Sequence, residues 1–151
     1  MSSNYGLEKV VPEIRSCLDS GKLAEFETHG FSMIPLLHDG GDKVVLKRAE
    51  NELEVNDVAF CKTDDGRYVL HRVIEKKNGG YVLKGDNCCT CEFCKGDEDV
   101  IGVAVCFIRR GRRIDVAKPC YKLYVRFRKQ ALRMWRLFWR LADRVVELRR
   151  K

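Results

Sequence analysis

Ser32 stands in the stretch THGFSMIP, residues 28–35, with a glycine two positions before it and a proline three after. A serine hydroxyl is a poor nucleophile until a neighbouring base accepts its proton, so the first question is which base the chain offers. The sequence has three histidines, His29, His38 and His71. His29 and His38 flank the serine, but closeness along a turn does not align a ring with a hydroxyl. His71 lies in RYVLHRVIE, whose alternation places Val69, His71 and Val73 on one face of a strand and Leu70, Arg72 and Ile74 on the other. Apolar neighbours of this kind hold an imidazole rigidly, as an oriented base requires. An acid to fix its tautomer is available in Asp86 of KGDN. Asp42 is a second acid, whose simpler role is to end a turn ahead of a strand. A structural serine near a proline and a structural histidine in a strand are the competing readings of the same residues.

The stretch NCCTCEFCKGDED follows Asp86 directly and holds Cys88, Cys89, Cys91 and Cys94. The spacings Cys88-x-x-Cys91 and Cys91-x-x-Cys94 can chelate zinc. Four thiolates so crowded close a single tetrahedral site poorly, so a loop of reduced thiols is the main reading. A structural metal on Cys88, Cys91 and Cys94 is the minor one, and no cofactor is expected. Placed beside Asp86, the cluster also offers a redox-sensitive element.

The elements that must position these groups are short. GLEKVVPEIRSCLDSGK repeats apolar residues at helical spacing (Leu7, Val10, Val11, Ile14, Leu18) and predicts a helix ending near Gly21. Six β-type segments follow: LAEFETH, KVVLKR, DVAFCK, RYVLHRVIE, GYVLKG and VIGVAVCFIRR. They are separated by turn clusters such as HDGGD, TDDG and KNGG. The expected fold is mainly β, a small coiled antiparallel sheet or partial barrel. The expected organisation is a short N-terminal helix (1–21), a β domain (22–117) and a helical tail (118–151).

In that tail Tyr124, Phe127, Ala131, Met134, Phe138, Leu141, Val145 and Leu148 recur at steps of three and four, with arginines mainly opposite, which predicts a long amphipathic helix. The net charge of +7 is carried there, with 11 Lys/Arg against 2 Asp/Glu from Tyr121 to Lys151. Arginines bordering Trp135 and Trp139 suit an anionic membrane surface, and the same spacing suits packing on protein. The broad apolar arc argues against DNA as the partner. No stretch has the make-up of a signal peptide or a membrane span. Eight cysteines without a secretory signal imply a reducing compartment, so the expectation is a cytoplasmic protein, peripheral at the cytoplasmic membrane.

The order of the motifs adds a resemblance. Gly30–Pro35 (GFSMIP), Gly41–Val44 (GDKV), Asn56-Asp57-Val58, His71-Arg72 and Gly85–Asn87 (GDN) follow one another as in the serine peptidase superfamily of LexA-type repressors and type I signal peptidases. The chain resembles that family over roughly residues 22–115. It is closest to the branch with a Ser–His site, which includes archaeal and endoplasmic-reticulum signal peptidases. The resemblance implies a serine endopeptidase with Ser32 as nucleophile, His71 as general base and Asp86 as support for the histidine. It further implies an oxyanion hole at the Ser32 N–H with a group near Gly30, Met33 and Pro35 as residues shaping the turn and cleft, and a peptide or protein substrate. The alternative from a different class is a non-catalytic adaptor that binds an extended peptide by strand addition and is tethered by its basic helix.

Overall fold

The computed structural model describes residues 7–128 and residue 130. The chain divides into two compact units, Met1–Val116 and Ala117–Lys151.

The first unit opens with α1 (Leu7–Asp19), which carries Pro12 inside it. Its buried stripe is Val11, Ile14 and Leu18, the face read from the spacing. The helix closes where Gly21, at φ +76°, turns the backbone left-handed and the Gly21 and Lys22 N–H groups donate to the Leu18 and Cys17 carbonyls. Leu18 then packs directly on the sheet at Gly102. A β-carbon there would lie 2.9 Å from the Leu18 Cδ1 and 2.9 Å from the Lys47 carbonyl oxygen.

Eight antiparallel strands form one open sheet: β1 (Ala24–Glu27), β2 (Lys43–Lys47), β3 (Val58–Lys62), β4 (Tyr68–Lys77), β5 (Gly80–Lys84), β6 (Glu92–Cys94), β7 (Val100–Arg109) and β8 (Arg112–Asp115). Their order is β1-β2-β7-β3-β4-β5-β6, with β8 added to β7. The register shifts once between β2 and β7, once between β3 and β7 and once between β4 and β5. Each such irregularity bends the strand that carries it. The bending brings β6 back towards the end of β3, where the Asp64 N–H donates to the Phe93 carbonyl at 2.9 Å. Leu53, Ala59, Cys61, Val69, Val73, Tyr81, Leu83, Cys94 and Val103 fill the space so enclosed.

Six strands match the six β-type segments of the sequence. The two others, β6 and β8, lie in stretches that carry no alternating apolar pattern. In the second unit residues 119–128 are helical, with Tyr121 and Tyr124 rings 6.1 Å apart. The remainder of the predicted amphipathic helix, including Trp135 and Trp139, lies outside the described residues. Among the described residues no helix is long and apolar enough to cross a membrane.

Candidate active site

Ser32 lies half-buried on the loop between β1 and β2. Met33, Leu36 and Leu37 are buried side chains. The Met33 carbonyl accepts from the Leu36 and Leu37 N–H groups at 2.9 and 3.0 Å. Gly30 takes φ +95°, a conformation a side chain would strain, and its N–H donates to the Asp39 Oδ1 at 3.0 Å. The Pro35 carbonyl accepts from the Arg109 guanidinium at 2.9 Å. Asp42, buried at the loop's return, accepts from the His38 N–H at 2.9 Å and the Arg110 N–H at 3.2 Å. Asp42 is therefore a structural anchor of the loop, the simpler of its two expected roles. Gly30, Met33 and Pro35 shape the turn, and the Met33 side chain belongs to the interior. Among the described residues neither the hydroxyl nor the N–H of Ser32 is engaged in a hydrogen bond.

The Gly85–Asn87 turn clasps this loop. The Asn87 N–H donates to the Ser32 carbonyl at 2.8 Å, and its side-chain amide donates to the Phe31 carbonyl at 3.2 Å. Gly85 shows how closely the parts meet. A β-carbon on it would lie 2.7 Å from the Ser32 carbonyl oxygen, 2.7 Å from the Cys88 Sγ and 3.1 Å from the His71 Nε2. The serine loop, the histidine ring and the cysteine thiol thus converge on a single point, and only glycine fits there.

His71 sits in β4 with a side chain only 8% exposed. Its Nδ1 hydrogen-bonds Glu92 Oε2, and its Nε2 lies 3.1 Å from the point at which a Gly85 β-carbon would meet the Ser32 carbonyl. The partner follows from register. Val73 pairs with Leu83, and Leu83 pairs with Glu92, so the three side chains share one face of β4-β5-β6. His71 is two residues before Val73 and shares that face. Arg72 must point the other way. There it meets Asp86, whose two carboxylate oxygens accept from the Arg72 Nε at 2.8 Å and Nη2 at 2.6 Å.

The acid expected on the histidine is therefore engaged elsewhere. Asp86 forms a bidentate pair with Arg72, both side chains wholly buried, and Glu92 takes the place at the imidazole. The Glu92 carboxyl is held below its ordinary range chiefly by the hydrogen bond from His71, against the opposing effect of partial burial. Arg67 approaches its second oxygen at 3.5 Å. The two other histidines stand apart from this pair: His29 lies 3.5 Å from Asp39 and His38 lies 3.6 Å from Asp42.

The cysteine cluster is divided. Cys94 is buried in the core beside Cys61, whereas Cys88 is turned to the histidine and Cys89 and Cys91 are exposed. Among the described residues no group of three or more His, Cys, Asp or Glu side chains is arranged to hold a metal. A cleft of about 480 Å³ between α1 and the segment after β2, lined by Arg15, Asp19, Arg48, Glu50, Glu52 and Asp97, includes none of Ser32, His71 or Glu92.

A histidine held at Nδ1 by a carboxylate and a serine loop meeting it at Gly85 are side chains of the kinds that acyl transfer uses. Compared with protein-family models, curated proteins and solved structures, the chain gives no match.

Proposed function

We propose that the chain is a serine endopeptidase of Ser–His type, built on a curled sheet like that of signal peptidases and LexA-type repressors. Ser32 Oγ attacks a peptide carbonyl while His71 Nε2 takes its proton, and the developing oxyanion is met by the Ser32 N–H. The imidazolium returns the proton to the leaving amine, and water then releases the acyl group by the same route. Glu92 is the positioning residue: it keeps the ring in one tautomer and stabilises the charge that forms on it. The observation that carries this reading is the meeting at Gly85, where the Ser32 carbonyl and His71 Nε2 lie 2.7 and 3.1 Å from one point.

The test is covalent labelling of the full chain by a fluorophosphonate. Wild type is expected to react at Ser32, and Ser32→Ala and His71→Ala to lose the reaction. Label that persists in Ser32→Ala overturns the assignment, and no label on a folded wild type favours the peptide-binding adaptor.

The net +9 of Tyr121–Lys151, with Leu123 and Phe127 exposed four residues apart on its helical part, supports a second proposal about place: an anionic membrane surface concentrates the enzyme on its substrate. Failure of the full chain to sediment with phosphatidylserine vesicles at low salt would remove it.

A further inference from the structure

Ser32 is not the sole nucleophilic side chain that the fold brings to His71. The Cys88 N–H donates to the Gly85 carbonyl at 3.0 Å, and this turn folds the thiol back over Gly85. Its Sγ there lies 2.7 Å from the point that is itself 3.1 Å from His71 Nε2 and 2.7 Å from the Ser32 carbonyl oxygen. The histidine is more than nine-tenths buried, its Nδ1 is taken by Glu92, and no hydrogen bond engages its Nε2 among the described residues. That ring nitrogen and the Cys88 sulfur therefore lie 3.1 and 2.7 Å from one and the same point. Cys88 is half-buried and reduced, so the thiol can be reached from solvent. Burial first, and then the Glu92 carboxylate, push its ionisation above the ordinary thiol range. It therefore reacts more slowly than the exposed Cys89 and Cys91, and what distinguishes Cys88 is where its product would sit.

We propose that Cys88 is a covalent-modification site of the Ser32/His71 centre, and that its oxidation by a hydroperoxide silences that centre reversibly. The inference rests on the peptidase reading. In the step itself the thiolate sulfur attacks one oxygen of hydrogen peroxide and the O–O bond breaks. The sulfur is oxidised to sulfenic acid, the peroxide is reduced, and the second oxygen leaves as hydroxide, which takes up the thiol's proton as water. The added oxygen lies on a sulfur already in contact with the Gly85 backbone. The point where Cys88 Sγ, the Ser32 carbonyl and His71 Nε2 meet is too tight even for a carbon, so an oxygen added on that side forces the thiol turn, the serine loop and the ring apart. Two equivalents of a thiol reverse the change, releasing water and a disulfide of the reductant.

The experiment uses the full reduced chain, hydrogen peroxide as probe, and three readouts. These are fluorophosphonate labelling of Ser32, dimedone trapping of Cys88 read by peptide mass, and the ¹⁵N shift of His71 Nε2. Peroxide is expected to cut labelling at least tenfold in step with the dimedone adduct on Cys88, and dithiothreitol to restore it. Cys88→Ala keeps Cys89 and Cys91, and should label at close to the wild-type rate with or without peroxide. A Cys88→Ala protein silenced by peroxide as readily as wild type overturns the proposal. So does a wild type with Cys88 trapped and labelling unchanged. If the folded, reduced wild type does not label at all, the peptidase reading falls. The thiol's place at the ring is then read from the His71 shift alone, which must move when Cys88 is oxidised; an unmoved resonance overturns that too.

Discussion

Replacing Glu92 by glutamine separates the charge at His71 from the shape around it. The amide oxygen of glutamine can still accept the Nδ1 proton, so ring orientation is retained while the negative charge is lost. In the proposed mechanism the charge acts when His71 becomes an imidazolium, during proton transfer from Ser32. Two unit charges about 4 Å apart interact by roughly 4 kcal/mol at an effective dielectric near 20. Two features of the site reduce this. The Glu92 side chain is 15% exposed, and the Arg67 guanidinium, 3.5 Å from its other oxygen, already offsets part of the charge. About 2–3 kcal/mol is then the differential effect, which converts to a fall in rate of roughly 30- to 150-fold. The assay is the second-order rate of fluorophosphonate labelling, with urea unfolding alongside. Acid unfolding supplies a second signature. A carboxyl depressed in the folded state adds stability above its unfolded value and loses it as pH falls through the folded one. Wild type should therefore lose more stability than Glu92→Gln on going below the ordinary carboxylate range. A Glu92→Gln protein that labels within threefold of wild type refutes Glu92 as the positioning acid.

Asp86→Asn should behave in the opposite sense. It leaves Arg72 charged and buried without its counter-ion, a loss of about 3–5 kcal/mol in urea unfolding, while whatever folds labels at near the wild-type rate; unchanged stability with slowed labelling would return the orienting role to Asp86. Gly85→Ala places a methyl against the Ser32 carbonyl, which as backbone cannot swing away, and should cost about 1–3 kcal/mol with at least a tenfold loss of labelling. An unaffected Gly85→Ala would mean that the serine loop is not held where the geometry puts it.

What could be read from residue order, and what could not, divides along physical lines. Five of the six strands read from the sequence announce themselves because β-branched or aromatic residues recur within each over five to ten positions, while β1 shows only Phe26. The end of α1 was legible in Gly21, because few other residues take a left-handed turn without strain. Glu92 was not legible. It lies in a strand of three residues, EFC, too short for any period and placed inside a stretch whose cysteines invite a metal reading. Its role comes from the pairings Val73–Leu83 and Leu83–Glu92, and register between distant strands leaves no mark on local pattern. The misplacement of Asp86 has a related cause. Alternation along β4 sends His71 and Arg72 to opposite faces, and an acid near both in sequence can serve only one of them. β8, RRID, carries too much charge to read as a strand. It forms because Arg110 and Gly111, both at positive φ, make the tight turn that pairs it with β7.

The clasp of Asn87 on the serine loop also bears on when the centre comes together. Its side-chain bond to Phe31 joins residues 56 positions apart, whereas His71 and Glu92 are separated by 21 and Arg72 and Asp86 by 14. Loop-closure entropy rises with length, and the two doublings between the shortest and longest of these spans amount to about 1.2 kcal/mol. On entropy alone the buried Arg72–Asp86 pair forms first, the gripped histidine second and the docked serine last. A growing or partly unfolded chain then joins His71 to Glu92 before the Asn87 clasp docks the Ser32 loop, so the proposed centre is complete only when the whole sheet has closed.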